Sequence, residues 1–181
     1  FGDLVEQLMQ LDDAIIDVGA SNVEEFLKLM QQYDGSHEEF DFFVVPTVKE
    51  KKQQADTVNT LRALAKMGVP KGKVRLLFNK VELDDSVQDE FASLFGLAEL
   101  EKSFVLKEGA TVYSNEVFER LKSVGKSLAD ITADETDYRS KLRETTDQAE
   151  KDHCTRMIAL KRLGTTANRN LDEVFKVLFS K

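Results

Sequence analysis

The chain has one cysteine, two prolines and two histidines in 181 residues. Each scarcity excludes something. A lone thiol, Cys154, cannot close an internal disulfide, and with its neighbour His153 and the distant His37 it lacks the spacing of a metal site, so it reads as a structural thiol. No run of about eighteen apolar residues occurs, and no basic-apolar leader precedes a small-residue cleavage site, which predicts a cytoplasmic protein with neither spanning helix nor signal peptide. The most consequential absence is a Gly-rich loop ending in Gly-Lys-Ser/Thr, the element whose backbone amides hold nucleotide phosphates.

What remains is 41% hydrophobic and carries a formal charge of −8. That length and apolar content suit one compact α/β domain with a helical appendage. The acidic balance opposes a surface that grips nucleic acid throughout, while leaving room for a local basic face.

Leu4, Val5, Leu8 and Met9 recur at helical spacing ahead of Asp12-Asp13. Because the chain opens on Phe1 rather than Met, and on the tail of a helix, it is expected to begin part-way through a fold. Residues 14–18 then form an apolar run, Ala-Ile-Ile-Asp-Val, which reads as a buried strand delivering Asp17 to a phosphate-sized site beside Gly19. Ser21-Asn-Val-Glu24 has the pattern of a capping box, and Val23, Phe26, Leu27 and Met30 line the helix that follows. Residues 40–45 form an unalternated apolar run ending at Pro46, which predicts a strand covered on both faces. Helical spacing returns over 50–67, and Gly68-Val-Pro70 stops it.

Residues 74–78 predict a third strand running into Asn79-Lys-Val-Glu82, with a helix over 85–95 and a short strand near 103–107 or 111–113. Strands alternating with helices imply right-handed crossovers and a parallel sheet, with functional residues at the carboxyl ends of the strands. Val117, Leu121, Val124 and Leu128 predict one helix, residues 133–163 a long solvated charged helix, and Asn170 the cap of a final helix with an apolar stripe. The predicted fold is thus a three-layer, mostly parallel sheet flanked by helices. Residues 1–132 are expected to form the α/β domain, read as nucleotide-hydrolase-like from Asp17 at its strand end, and residues 133–181 a helical extension packed on it.

Three motifs in order, Ile15-Ile-Asp-Val-Gly-Ala20, Phe42-Phe-Val-Val-Pro-Thr47 and Leu76-Leu-Phe-Asn-Lys-Val-Glu82, resemble the later part of the ParA/MinD family of deviant-Walker ATPases, in particular plasmid partition and stability members of the StbB type. The resemblance covers residues 4–82. It implies a P-loop NTPase-like fold whose phosphate-binding loop lies upstream, so the chain alone is expected not to hydrolyse ATP. It implies that Asp17 holds Mg²⁺ through water and orients the attacking water, and that Gly19 lets the backbone approach the γ-phosphate. Asn79 would bond the base, since an amide both donates and accepts. Lys80 and Glu82 flank it in a pattern like the Asn-Lys-x-Asp of GTPases with Glu for Asp, and Pro46 and Thr47 would lie near the nucleotide.

The cofactors so implied are ATP and Mg²⁺. The implied partners are a second copy in a nucleotide-dependent dimer, a protein of a plasmid-maintenance or conjugative system, and non-specific DNA at basic clusters such as 49–52, 71–73 and Lys161-Arg162 with Arg169. The alternative is a P-loop-less scaffold that docks a partner through the charged 133–163 region or the C-terminal stripe. A Rossmann oxidoreductase is a poor reading, since no Gly-x-Gly-x-x-Gly follows a strand.

Overall fold

The structure, a computed structural model, describes residues 1–179. The chain runs α1 (Gly2–Leu8), α2 (Val23–Gln32), β1 (Phe43–Thr47), α3 (Lys51–Lys66), β2 (Val74–Val81), α4 (Val87–Glu90), α5 (Ala92–Glu101), β3 (Thr111–Tyr113), α6 (Val117–Val124), α7 (Leu128–Ala133), α8 (Tyr138–Glu144) and α9 (Gln148–Phe179). The three strands pair in the order β1-β2-β3, both pairings parallel. Parallel neighbours need a crossover, and here α3 and then α4–α5 supply it. The result is a small parallel α/β sheet flanked by helices, with a long C-terminal helix.

The two faces of β2 divide the core. Val74, Leu76 and Phe78 face Leu61 and Leu64 of α3, Phe91 between α4 and α5, and Leu94 of α5, all buried. Phe78 anchors this layer, with its ring centroid 4.7 Å from Phe91 and stacked 5.7 Å from Phe95. On the other face Leu77 and Val112 pack with Val174 and Leu178 of α9. A separate cluster forms where Val117, Leu121, Ile131 and Tyr138 meet Cys154, Met157 and Leu160 of α9. There Gly164 admits α7, since a Cβ at Gly164 would lie 3.1 Å from Ile131 Cγ2.

Several expectations are corrected. Residues 14–18 are irregular coil, not a buried strand, and Ile15 is 99% exposed. Apolarity alone does not make a strand, because its amides and carbonyls need a paired neighbour, and this run is unpaired with edge strand β1. The run at 40–45 is covered on one face: Val45 is buried, but Val44 is exposed. Pro46 lies inside β1, opposite Leu77, which an edge strand tolerates because the missing N–H faces away from the ladder. The predicted box at Ser21 and Glu24 does not form. Residues Ala20–Asn22 make a 3₁₀ turn instead, and the Ser21 hydroxyl donates to Asn22 Oδ1.

The helix expected over 85–95 is two helices, broken at Phe91. The helix through Val117 and Leu128 also splits. Gly125, at φ 62°, ends α6, and Ser127 opens α7 by exchanging bonds with Asp130. The solvated helix expected over 133–163 is interrupted after α8, where Thr145 and Asp147 turn the chain. Its continuation buries Cys154, Met157, Leu160, Gly164 and Ala167, small or apolar residues at steps of three or four that charged neighbours had masked. Asn170 is therefore in the interior of α9, not at a helix start.

Candidate functional site: the carboxyl edge of the sheet

Parallel pairing brings the second and third sequence motifs together. Thr47 is in register with Phe78, so the Pro46-Thr47 end of β1 adjoins the Asn79-Lys80 end of β2. Between Asn79 and Val81 the pairing with β3 shifts by a bulge, and Lys80 adopts φ 55°. Left-handed backbone is strained for a side chain with a Cβ, and the Asn79 carbonyl Oδ1 supports it by accepting the Lys80 N–H at 3.0 Å. The Nδ2 donor of Asn79 has no partner among the described residues. Lys80 and Glu82 are exposed.

Just beyond, the Lys49 ammonium donates to Asp85 Oδ2 at 2.8 Å, and the same oxygen accepts the Glu82 N–H at 3.1 Å. This pair ties the loop after β1 to the loop after β2. The hydrogen bond from Lys49 and the Glu82 amide hold the Asp85 carboxyl below its ordinary range, and Asp85 in turn raises the Lys49 ammonium. Beneath it lies Gln54, buried on α3. Its Nε2 donates to the carbonyls of Lys49 and Glu90, each at 3.0 Å, and its Oε1 accepts the Ser93 hydroxyl at 3.0 Å. Thr47 is also buried, and its hydroxyl lies 3.2 Å from that of Thr57. The edge is therefore a braced frame carrying one open amide donor.

The other predicted residues are placed differently. Asp17 is exposed on the coil before α2, and its carboxylate makes no hydrogen bond or ion pair among the described residues. Gly19 has φ −56°, and an added Cβ would meet nothing nearer than Asn22 Nδ2 at 4.0 Å, so nothing local demands glycine. Pro46 is exposed on the edge strand, and the Thr47 hydroxyl is turned to its structural partner.

The fit to Mg-ATP is correspondingly partial. No three His, Cys, Asp or Glu side chains gather as a metal site among the described residues. These residues do not by themselves form a Mg²⁺ site, and no step is derived through the ion. For the nucleotide they offer the Asn79 amide and the adjacent strand-end backbone.

No family model, curated protein or solved structure matches this chain.

Sequence reasoning missed Lys49–Asp85 and Gln54 as the frame of this edge. Lys49 and Asp85 are 36 residues apart, and nothing in their local patterns announces the pairing. Three lysines of the basic clusters have structural partners. Lys51 donates to the Glu90 carbonyl, Lys73 to the carbonyls of Glu38 and Phe40, and Lys161 to those of Asp134 and Thr136, so these ammonium groups hold loops. No helix among the described residues is long and apolar enough to cross a membrane.

Proposed function

We propose that this chain is the later part of a ParA/MinD-like ATPase that acts as a nucleotide-dependent dimerisation switch in plasmid partition, stability or conjugative transfer. The observation that carries the reading is the juxtaposition of Pro46-Thr47 with Asn79-Lys80 at the carboxyl edge of a parallel sheet, the edge where open α/β folds bind ligands. Asn79 supplies base recognition through its unpartnered Nδ2, and the Lys49–Asp85 pair holds the two loops on either side of it. Asp17 contributes its carboxylate once the phosphate-binding segment implied by the resemblance is present.

The test uses the native gene product with that segment. Asn79→Ala should weaken ATP binding about tenfold, the worth of one well-placed hydrogen bond, and Asp17→Ala should abolish turnover while leaving the circular dichroism spectrum unchanged. Hydrolysis that survives Asp17→Ala sinks the assignment.

A second reading, a partner-binding scaffold, is favoured by one observation at the opposite end of the sheet. Phe175 is 64% exposed and Phe42 40%, and both ring centroids lie within 5.0 Å of that of Phe179. If this is the working surface, Phe175→Ser should abolish partner capture with nucleotide binding intact.

A further inference from the structure

A cleft of about 230 Å³ lies where the start of α8 meets the middle of α9. Tyr138, buried, and Ile158 form its apolar wall, Arg139, Lys161 and Arg162 bring three cations to its lining, and Thr136 and one carboxylate, Asp137, complete it. In a chain of 33 acids and 25 bases, such a cluster would be expected to find carboxylate partners. It does not: Asp134 and Asp137, the acids flanking the cleft, accept from the backbone and from neutral groups instead.

Asp137 accepts the N–H groups of Arg139 and Ser140 and the Ser140 hydroxyl. Asp134 accepts the Thr136 N–H at 2.9 Å and the Tyr138 hydroxyl at 2.7 Å. Lys161 is engaged too: its ammonium donates to the carbonyls of Asp134 and Thr136 and lies 5.7 Å from the Tyr138 ring centroid, shaping the loop. That leaves the guanidinium groups of Arg139 and Arg162, exposed and with no hydrogen-bond or ion-pair partner among the described residues, on one cleft.

We propose that this cleft binds the phosphate end of a small phosphorylated molecule, a phosphomonoester or diphosphate held between Arg139 and Arg162. Planar guanidinium forks match phosphate oxygens two at a time, and a phosphate dianion, unlike a single carboxylate, has oxygens and charge enough to answer both arginines. The cleft, about 230 Å³ and open to solvent, falls below the roughly 300–1,000 Å³ of sites that enclose drug-sized ligands, which suits the phosphate end of a small molecule. Tyr138 and Ile158 offer an apolar surface to whatever short group carries the phosphate. The site shares no residue with the strand-end edge and stands independently of the proposed switch.

The probe is inorganic pyrophosphate, titrated calorimetrically into the full chain at low salt. Saturable one-to-one binding is expected, weakened about tenfold or more by Arg139→Gln or Arg162→Gln and recovered in part by Arg162→Lys, which keeps the charge and loses the fork. Amide chemical shifts in the unsubstituted chain should move at residues 136–140 and 158–162, a readout that needs no variant to fold. Absence of saturable binding, binding indifferent to both arginines, or binding of a single-stranded oligonucleotide without pyrophosphate would each overturn the proposal, the last by making this an open face for backbone phosphates.

Discussion

The side-chain amide of Asn170 completes the open edge of β3: its Oδ1 accepts the Tyr113 N–H at 3.0 Å and its Nδ2 donates to the Thr111 carbonyl at 2.9 Å. A three-residue strand has few backbone partners, and this amide imitates the donor and acceptor of an absent neighbour. It also joins α9 to the sheet beyond the contacts of Val174 and Leu178. Asn170→Ala should therefore destabilise the chain by about 1–3 kcal/mol, the penalty for stranding partly buried polar groups. Hydrogen exchange at the Tyr113 amide should accelerate more than exchange in β2, and equal effects on both strands would refute a specific edge role.

Gln54 satisfies two carbonyls and one hydroxyl from a buried position, so its loss strips the Lys49 carbonyl and the Ser93 hydroxyl of this partner and leaves the Glu90 carbonyl with Lys51 alone. Gln54→Leu keeps most of the volume and removes the bonds. It should cost about 2–4 kcal/mol in denaturant unfolding, and a change below about 0.5 kcal/mol would mean that water replaces the network.

Lys49 and Asp85 make a partly exposed pair, so Asp85→Asn should lower stability only slightly at neutral pH. Its value lies in the pH dependence. The folded-state carboxyl of Asp85 titrates below its unfolded value, so the stabilisation is complete above about pH 4 and is lost as pH falls through the folded pKa. The stability gap between the unsubstituted chain and Asp85→Asn should be flat from about pH 8 to 5 and close on further acidification. Asp130, Asp134 and Asp137 are held below their ordinary range by hydrogen bonds with Ser127, with Thr136 and Tyr138, and with Ser140, so both proteins should share an acid-labile background.

Gly164 sits where α9 crosses α7, with Leu128 Cδ1 and Ile131 Cγ2 within 3.5 Å of the place a Cβ would occupy. Gly164→Val should force the helices apart at a cost of about 1–3 kcal/mol, more than the gain in helix propensity returns. An increase in melting temperature would show that α7 yields freely.

Local chemistry made much of this fold legible. The spacing of Leu61 and Leu64, the apolar run at 74–78, and Gly68-Val-Pro70 as a stop all act within a few residues, and α3 and β2 formed accordingly. The same reasoning failed wherever a distant partner decides. Residues 14–18 look like a strand, but a strand exists only with a neighbour to bond. Asn170 looks like a cap, but the amides it serves belong to β3, 57 and 59 residues away.

The candidate edge divides in the same way. Asn79 was visible because a strand ending in Asn-Lys-Val-Glu is a local pattern. Lys49–Asp85, Gln54 and the Arg139–Arg162 cleft were not, since each depends on side chains brought together by packing. By itself the sequence determined the parallel α/β plan, because hydrophobic period and turn residues are properties of short windows. The tertiary structure alone decided which polar groups are satisfied, because burial and long-range proximity determine where every remaining donor and acceptor finds a partner.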